Sequence, residues 1–184
     1  MKSVLVTGAT GFIGQHLVAR LLEDGFRVAV AGRDGPKMAA LTRGAARITS
    51  FDLGKPEAID PHAFEGVDCI YHLAARVHVM KPGARDEESF IAMNVQPSVA
   101  LARLAAKVGV PKFVYLSSIK VNGERTTDRP FAAEDRPAPE DAYGRSKWQA
   151  ECALEEIADS EGMSLIVIRP PLVYGPGVGA NFAR

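Results

Sequence analysis

Short, nearly continuous apolar runs alternate along the chain with longer segments whose apolar residues return every three or four positions. The runs Val4–Thr7, Arg27–Ala31, Arg47–Phe51, Cys69–His72, Phe113–Ser117 and Ser164–Ile168 predict strands. Stretches such as VLV, FVYL and SLIVI carry few polar positions, as strands covered on both faces do. Between the first two runs, residues 12–23 place Phe12, Ile13, Leu17, Val18, Leu21 and Leu22 on one helical stripe, with Gly25 as a stop. A long helix is predicted over 86–108, opened by Asp86, Glu87 and Glu88 and bent by Pro97 near Asn94. Another covers 142–161 and carries Trp148, Cys152, Leu154 and Ile157 before Gly162. The segment 122–141, with Pro130, Pro137 and Pro139, reads as a long loop of the kind that is usually functional. Strands alternating with helices imply right-handed crossovers and a parallel sheet, an α/β fold.

Composition removes several function classes. The 184 residues hold 22 Lys+Arg against 22 Asp+Glu, so no basic footprint points to nucleic acid or to an anionic membrane surface. No apolar run approaches the roughly 18–20 residues of a spanning helix, and the opening MKSVLVTGATG is no secretory signal. Cys69 and Cys152 are too far apart in sequence for a disulfide framework or a zinc set, and both read as small buried apolar residues. A reducing, cytoplasmic setting is the expectation. His72, at a strand end, reads as structural rather than as a metal ligand, and no metal site is expected. His78 could touch a substrate. Trp148 points about 100° around its helix from Lys147 and reads as core.

The first chemistry lies at Gly8-Ala9-Thr10-Gly11-Phe12-Ile13-Gly14, directly after a strand and opening a helix. Glycines are needed there for a tight turn, for close backbone approach to a pyrophosphate, and for close packing of helix on strand. The helix amides and the positive end of its dipole then face the anion. In that context the motif predicts a doubly wound dinucleotide-binding sheet, with helices on both faces and a nicotinamide cofactor, NAD(P). An acidic residue usually closes the second strand to accept from the ribose 2′-hydroxyl of NAD. Here Gly32 and Arg33 stand at that point, and a guanidinium suits a 2′-phosphate, so NADP is favoured over NAD. Asp34 competes for the ribose role, and Arg33 also reads as a solvated surface residue. Asp52 is placed for the adenine edge, or for a plain turn.

A second constellation is Tyr143-Gly144-Arg145-Ser146-Lys147, a phenol and an ammonium at i and i+4 on one helix face, about 5–6 Å apart at Cβ. A nearby cation stabilises phenolate, so Lys147 is expected to lower the Tyr143 pKa and make it a general base or acid for a hydroxyl. Alone, such a pair reads more readily as two amphipathic surface residues than as a catalytic pair. Ser117 and Ser118 close the fifth strand at the carboxyl edge, where doubly wound folds bind ligands, and Ser118 can share the substrate proton with Tyr143.

Taken together, VTGATGFIG, DCIYHLAA over 68–75, MNV over 93–95, YLSSIKVNG, YGRSK and RPPLVYGPG resemble the NAD(P)-dependent epimerase/dehydratase family, the extended short-chain dehydrogenase/reductases. HLAARVHVM, SSIKVNGE and RPPLVYGPGVGANF look most like bacterial nucleotide-sugar 4-epimerases and 4-ketosugar reductases. The resemblance implies a Rossmann sheet of about six strands. It implies cofactor contacts at Gly8, Gly11, Phe12, Ile13, Gly14, Asp52, Leu53, Leu73, Ala74, Ala75 and Pro170, with Pro171 beside the nicotinamide. It implies a Ser118, Tyr143 and Lys147 triad whose tyrosine and lysine also touch the cofactor. Asn94 matches an asparagine near the active site, and Asn181 a residue on the substrate's diphosphate. Leu172 stands where many epimerases have asparagine.

The chemistry so implied is that Tyr143 takes a proton from a sugar hydroxyl, held by Ser118, as hydride passes to nicotinamide. Return of hydride to the other face then inverts the carbon. An NADPH-dependent reduction of a 4-keto sugar nucleotide would use the same residues, and a dinucleotide sensor without catalysis would use fewer of them. The expected substrate is a nucleotide sugar, a UDP-sugar. The expected domains are 1–169 for dinucleotide binding and 170–184 as the start of a substrate-binding region that is cut short. The 184 residues alone are therefore expected to bind without turnover. A homodimer through helices 86–108 and 142–161 is also implied.

Overall fold

The computed structural model describes residues 1–42, 44–45, 47–76, 86–126 and 128–178. Six strands form one parallel sheet: β1 (Ser3–Thr7), β2 (Arg27–Gly32), β3 (Arg47–Ser50), β4 (Cys69–His72), β5 (Lys112–Leu116) and β6 (Ser164–Ile168). Their order is β3-β2-β1-β4-β5-β6, so the winding reverses between β1 and β4. Val4 stands opposite both Val28 and Cys69, and Phe113 stands between Ile70 and Leu165. This is the expected doubly wound Rossmann arrangement, in which the crevice at the reversal point receives ligands at the carboxyl ends of the strands.

Helices α1 (Phe12–Glu23) and α2 (Gly35–Leu41) cover one face over a core of Val4, Val6, Val18, Leu21, Val28, Val30 and Met38. The other face packs Leu5, Ile70, Phe113 and Tyr115 against α4 (Gln96–Lys107) and α5 (Ala142–Glu161) through Leu101, Ala105, Ala150 and Leu154. The alternating side chains of β1, β2, β4 and β5 supply both cores, which is why those strands read as continuous apolar runs, whereas β6, expected to be covered on both faces, packs on one only. Over β6 the first face is open, leaving Ile166 and Ile168 43% and 44% exposed. Among the described residues no helix is long and apolar enough to cross a membrane.

Three local features differ from expectation. The helix predicted over 86–108 is divided into α3 (Asp86–Phe90), a π-turn at Ile91–Val95 and α4, whose first turn holds Pro97. The bend falls at Asn94, and a proline that cannot donate to the preceding turn accounts for it. Helix α2 was not expected. Asp34 caps it by accepting from the Lys37 amide at 2.9 Å, and Pro36 sits in its first turn, a start signal hidden by the shortness of the helix. Finally, Trp148 and Cys152 are half-buried, not core. The inward stripe of α5 runs through Lys147, Ala150, Glu151, Leu154 and Ala158, so two charged residues take places that hydrophobicity alone gives to Trp148 and Cys152.

Candidate active site

At the crevice, Gly8 adopts φ +71°, and a Cβ there would lie 2.7 Å from the Ala74 amide nitrogen. The turn after β1 thus rests directly on the loop after β4. Gly14 faces the same turn from α1, and its Cβ would meet the Gly8 carbonyl oxygen at 2.2 Å. Gly11 is the N-cap of α1; no side chain caps that end, and no acidic residue stands in the first turn. The leading amides at Phe12 and Ile13 are therefore left without a side-chain acceptor, a donor set that fits a pyrophosphate. Gln15 braces the turn by donating to the Thr10 carbonyl at 3.0 Å.

Of the other residues read as cofactor contacts, Leu73 bonds through its amide to the Thr7 carbonyl at 3.2 Å, and Ala74 to the Thr7 hydroxyl at 3.4 Å. Ala75 follows them at the carboxyl edge. Arg33 is exposed at the end of β2, beside Gly32. A Cβ on Gly32 would lie 3.2 Å from the Met38 sulfur, so the place of the usual acidic residue is filled from α2. Asp52 is exposed and accepts from the Gly54 amide at 3.0 Å, which makes it a turn residue. Leu53 packs on the core. Asn181 and His78 lie outside the described residues.

The triad is assembled by β5 and α5. Ser118 caps a short turn by accepting from the Lys120 amide at 3.2 Å. Asp141 caps α5 by accepting from the Gly144 amide at 2.5 Å, and Gly144 passes so close to the Lys120 carbonyl that a Cβ would sit 2.8 Å from it. Those contacts bring the Tyr143 phenol beside Ser118, close enough for the hydroxyl to favour the phenolate. Lys147 is 2% exposed and donates to the Tyr115 hydroxyl at 3.2 Å and to the Leu116 carbonyl at 2.8 Å.

The electrostatics reverse one expectation. Burial pushes the Tyr143 phenol up to about 12, Ser118 acts against that rise, and Asp141 adds to it. Lys147 does not lower it, because its ammonium is turned toward Tyr115 and lies 6.0 Å from the Tyr143 ring centre. Burial also takes Lys147 down to about 7, with Glu151 working in the opposite direction. Desolvation is the largest cause of both shifts.

Sequence reasoning read His72 as structural and placed Asn94 near the site, but missed Thr7, Ser98, Glu151 and Arg169, which help to hold it. His72 is buried with Nδ1 2.6 Å from the Thr7 hydroxyl and Nε2 2.8 Å from that of Ser98, consistent with a structural role. Asn94, in the π-turn, accepts from the Arg76 amide at 2.7 Å and donates to Ser146 at 3.2 Å, tying the loop after β4 to α5. Glu151 is fully buried, bonded by Ser117 and paired with Arg169, whose guanidinium lies 5.7 Å from the Trp148 ring. The spacing Tyr143, Lys147, Glu151 was the available signal, since residues at i+4 share a helix face. Pro170, next to Arg169, accepts from the Ile119 amide at 3.0 Å and so borders the Ser118 turn.

The reversed winding, the glycine turn at the reversal point and a helix end open to an anion define a Rossmann domain of the nicotinamide-dependent class. The chain belongs to the NAD dependent epimerase/dehydratase family, whose profile matches residues 4–184. It is 39% identical to a UDP-glucose 4-epimerase of Vibrio cholerae over 99% of this chain and 55% of that protein. Among solved structures, it is similar to a UDP-glucose 4-epimerase of Thermotoga maritima bound to UDP-glucose. That likeness has a TM-score of 0.78 at 28% identity and covers 91% of this chain and 54% of the other. It is also similar to MoeE5 solved with UDP-glucose and NAD, with a TM-score of 0.73 and 30% identity over 90% of this chain and 52% of that one. The chain thus spans about half the length of the relatives it matches.

Proposed function

We propose that the chain is the dinucleotide-binding half of a nucleotide-sugar 4-epimerase acting on a UDP-sugar. The observation that carries this reading is the placement of the Tyr143 phenol beside Ser118 and one helical turn from Lys147, at the edge that also bears the glycine turn. The named likeness to UDP-glucose 4-epimerases supports the substrate class. A bound nicotinamide supplies the acceptor and donor of hydride. The residues of this chain do the rest. Gly8, Gly11 and Gly14 let the turn and the α1 amides bind the pyrophosphate. Lys147, with a third donor beyond Tyr115 and Leu116, bonds the ribose. Ser118 orients the sugar hydroxyl, and Tyr143 exchanges its proton. Residues 170–184 begin the region that closes on the sugar, with Asn181 toward its diphosphate. The exposed sides of α3, α4 and α5 are where a homodimer would form.

In a protein that carries this chain at the full length of its relatives, Tyr143→Phe is expected to leave dinucleotide affinity within about twofold and to lower epimerisation by roughly a thousandfold, the scale of a lost general acid–base. Unchanged turnover would remove Tyr143 from its role.

A second reading, NADPH-dependent reduction of a 4-keto sugar nucleotide, draws on two observations. The Tyr143 phenol keeps its proton at neutral pH and so is ready to donate, and no carboxylate stands at position 32 to repel a 2′-phosphate. Calorimetry with NAD and NADP side by side addresses the cofactor. Arg33→Ala is expected to weaken NADP about tenfold and leave NAD unaffected, the scale of one charge-assisted contact. Equal losses for both cofactors would take Arg33 out of the 2′-phosphate site. Steady loss of absorbance at 340 nm with a keto sugar marks a reductase, since an epimerase returns its cofactor in every cycle.

A further inference from the structure

The least expected group in the core is Glu151, whose carboxylate has no solvent exposure. Three chain segments meet on it. Ser117, the neighbour of Ser118, donates its hydroxyl to Oε1. Arg169, the neighbour of Pro170, donates from Nε at 3.1 Å and from Nη2 at 2.5 Å. The third is α5 itself, where Glu151 stands one turn beyond Lys147 on the buried stripe. Arg169 is held in turn by Asn122 at 3.3 Å and by the Trp148 ring.

We propose that Glu151 is a positioning residue of the site: anchored by Ser117 and Arg169, it favours the cationic form of Lys147 against burial and fixes the end of β5 and the segment after β6 against α5. This rests on the reading of Lys147 as a cofactor contact. Among the described residues the ammonium bonds to a phenol and a carbonyl, both neutral, and to no counter-ion. The titratable and charged groups around it are few. From β5 comes Tyr115, whose phenol is held neutral by burial, and from β4 comes His72, also neutral, stacked on Tyr115. Tyr143 and Glu151 come from α5, and Arg169 follows β6. Of these, Glu151 is the one whose charge favours the ammonium. A buried charge without such support gives up its proton. The same carboxylate is needed by Arg169, so one anion serves two cations, and its Ser117 bond sets the approach of the strand end that presents Ser118.

The test titrates Lys147 by NMR in the whole chain with 13C-labelled lysine, its signal assigned by its absence from Lys147→Arg. Glu151→Gln is expected to move the midpoint down by about one unit or more, and Glu151→Asp to return it most of the way. A midpoint left in place by Glu151→Gln overturns the proposal. Should the unpaired Arg169 prevent that variant from folding, the double variant Glu151→Gln/Arg169→Gln removes both charges and carries the same expectation, and an unmoved midpoint there overturns it equally. NAD binding is followed in parallel from pH 6 to 9. A shifted midpoint in a chain that binds no dinucleotide supports Glu151 and counts against the proposed function; binding with an unmoved midpoint does the reverse.

Discussion

Replacing Gly14 by alanine is expected to cost about 3 kcal/mol of dinucleotide binding, roughly a hundredfold in affinity. The added methyl would stand 2.2 Å from the Gly8 carbonyl oxygen and 2.8 Å from the Ala9 Cα. Both are backbone atoms, so no rotamer change relieves the overlap, and α1 or the turn must move. Either movement shifts the Phe12 and Ile13 amides off the anion. It also strains Gly8, which already holds a left-handed φ and abuts Ala74, so the displacement propagates toward the loop after β4. A fall in thermal stability should accompany the loss, because the same overlap pushes α1, with its Val18 and Leu21, away from the sheet on which they are buried. Isothermal calorimetry with NAD and NADP measures the first effect and a melting curve the second. Alanine at Gly25, where a Cβ meets nothing within 4 Å, is the matched control for stability. Its φ of +79° costs a little stability but touches no part of the crevice. Gly14→Ala bound as tightly as the wild type would mean that the pyrophosphate does not use this turn.

The contrast between those two glycines shows what was legible in the sequence. Strand and helix periods placed all six strands to within a residue at each end, and α1 and α5 without error, because buried parallel strands leave a run of apolar residues that needs no context. The glycine turn was legible for the same reason: its demands are local. What was not legible is polar and buried. Lys147 and Glu151 look like surface residues of an amphipathic helix, and only the approach of Arg169, 18 residues away, turns their stripe inward. Trp148 then moves to the helix flank. Thr7, His72, Ser98 and Tyr115 come from separate strands and a helix, so no spacing announces that they form one hydrogen-bonded set. The Tyr143 pKa failed for a related reason. Proximity of a cation can be read from i and i+4, whereas the burial that outweighs it cannot.

That buried polar set leads to the second large effect: the chain should be most stable near pH 9, above the range of about 5 to 8 usual for proteins. His72 falls from 6.5 to about 3 on folding, through burial and then the Lys147 charge. Between those values the unfolded chain binds a proton that the folded chain refuses, so stability drops as pH falls through the window. Lys147 falls from 10.5 to about 7, again through burial. From pH 7 to 10.5 the unfolded chain keeps a proton that the folded chain has released, so stability climbs with pH. At about 1.4 kcal/mol per unit, each window carries on the order of 5 kcal/mol. The rise is ended by groups shifted the other way. Burial raises Cys69 from 9.0 to about 11 and Tyr143 from 10.0 to about 12, so above pH 9 the unfolded chain loses protons first and stability declines. The lowered carboxyls of Glu87 and Asp135, paired with Arg145 and Arg129, act only in acid and in the same direction as His72. His62, raised by Glu65, opposes them from a fully exposed position. Urea midpoints at pH 5, 7, 9 and 10.5 should therefore rise to pH 9 and fall at 10.5. The climb from 7 to 9 belongs to Lys147, and Lys147→Met should flatten it while leaving the loss between 7 and 5 in place. A wild-type midpoint that is level from 7 to 9 would mean that the ammonium keeps its proton in the fold, with the Glu151 carboxylate compensating in full for the burial of Lys147.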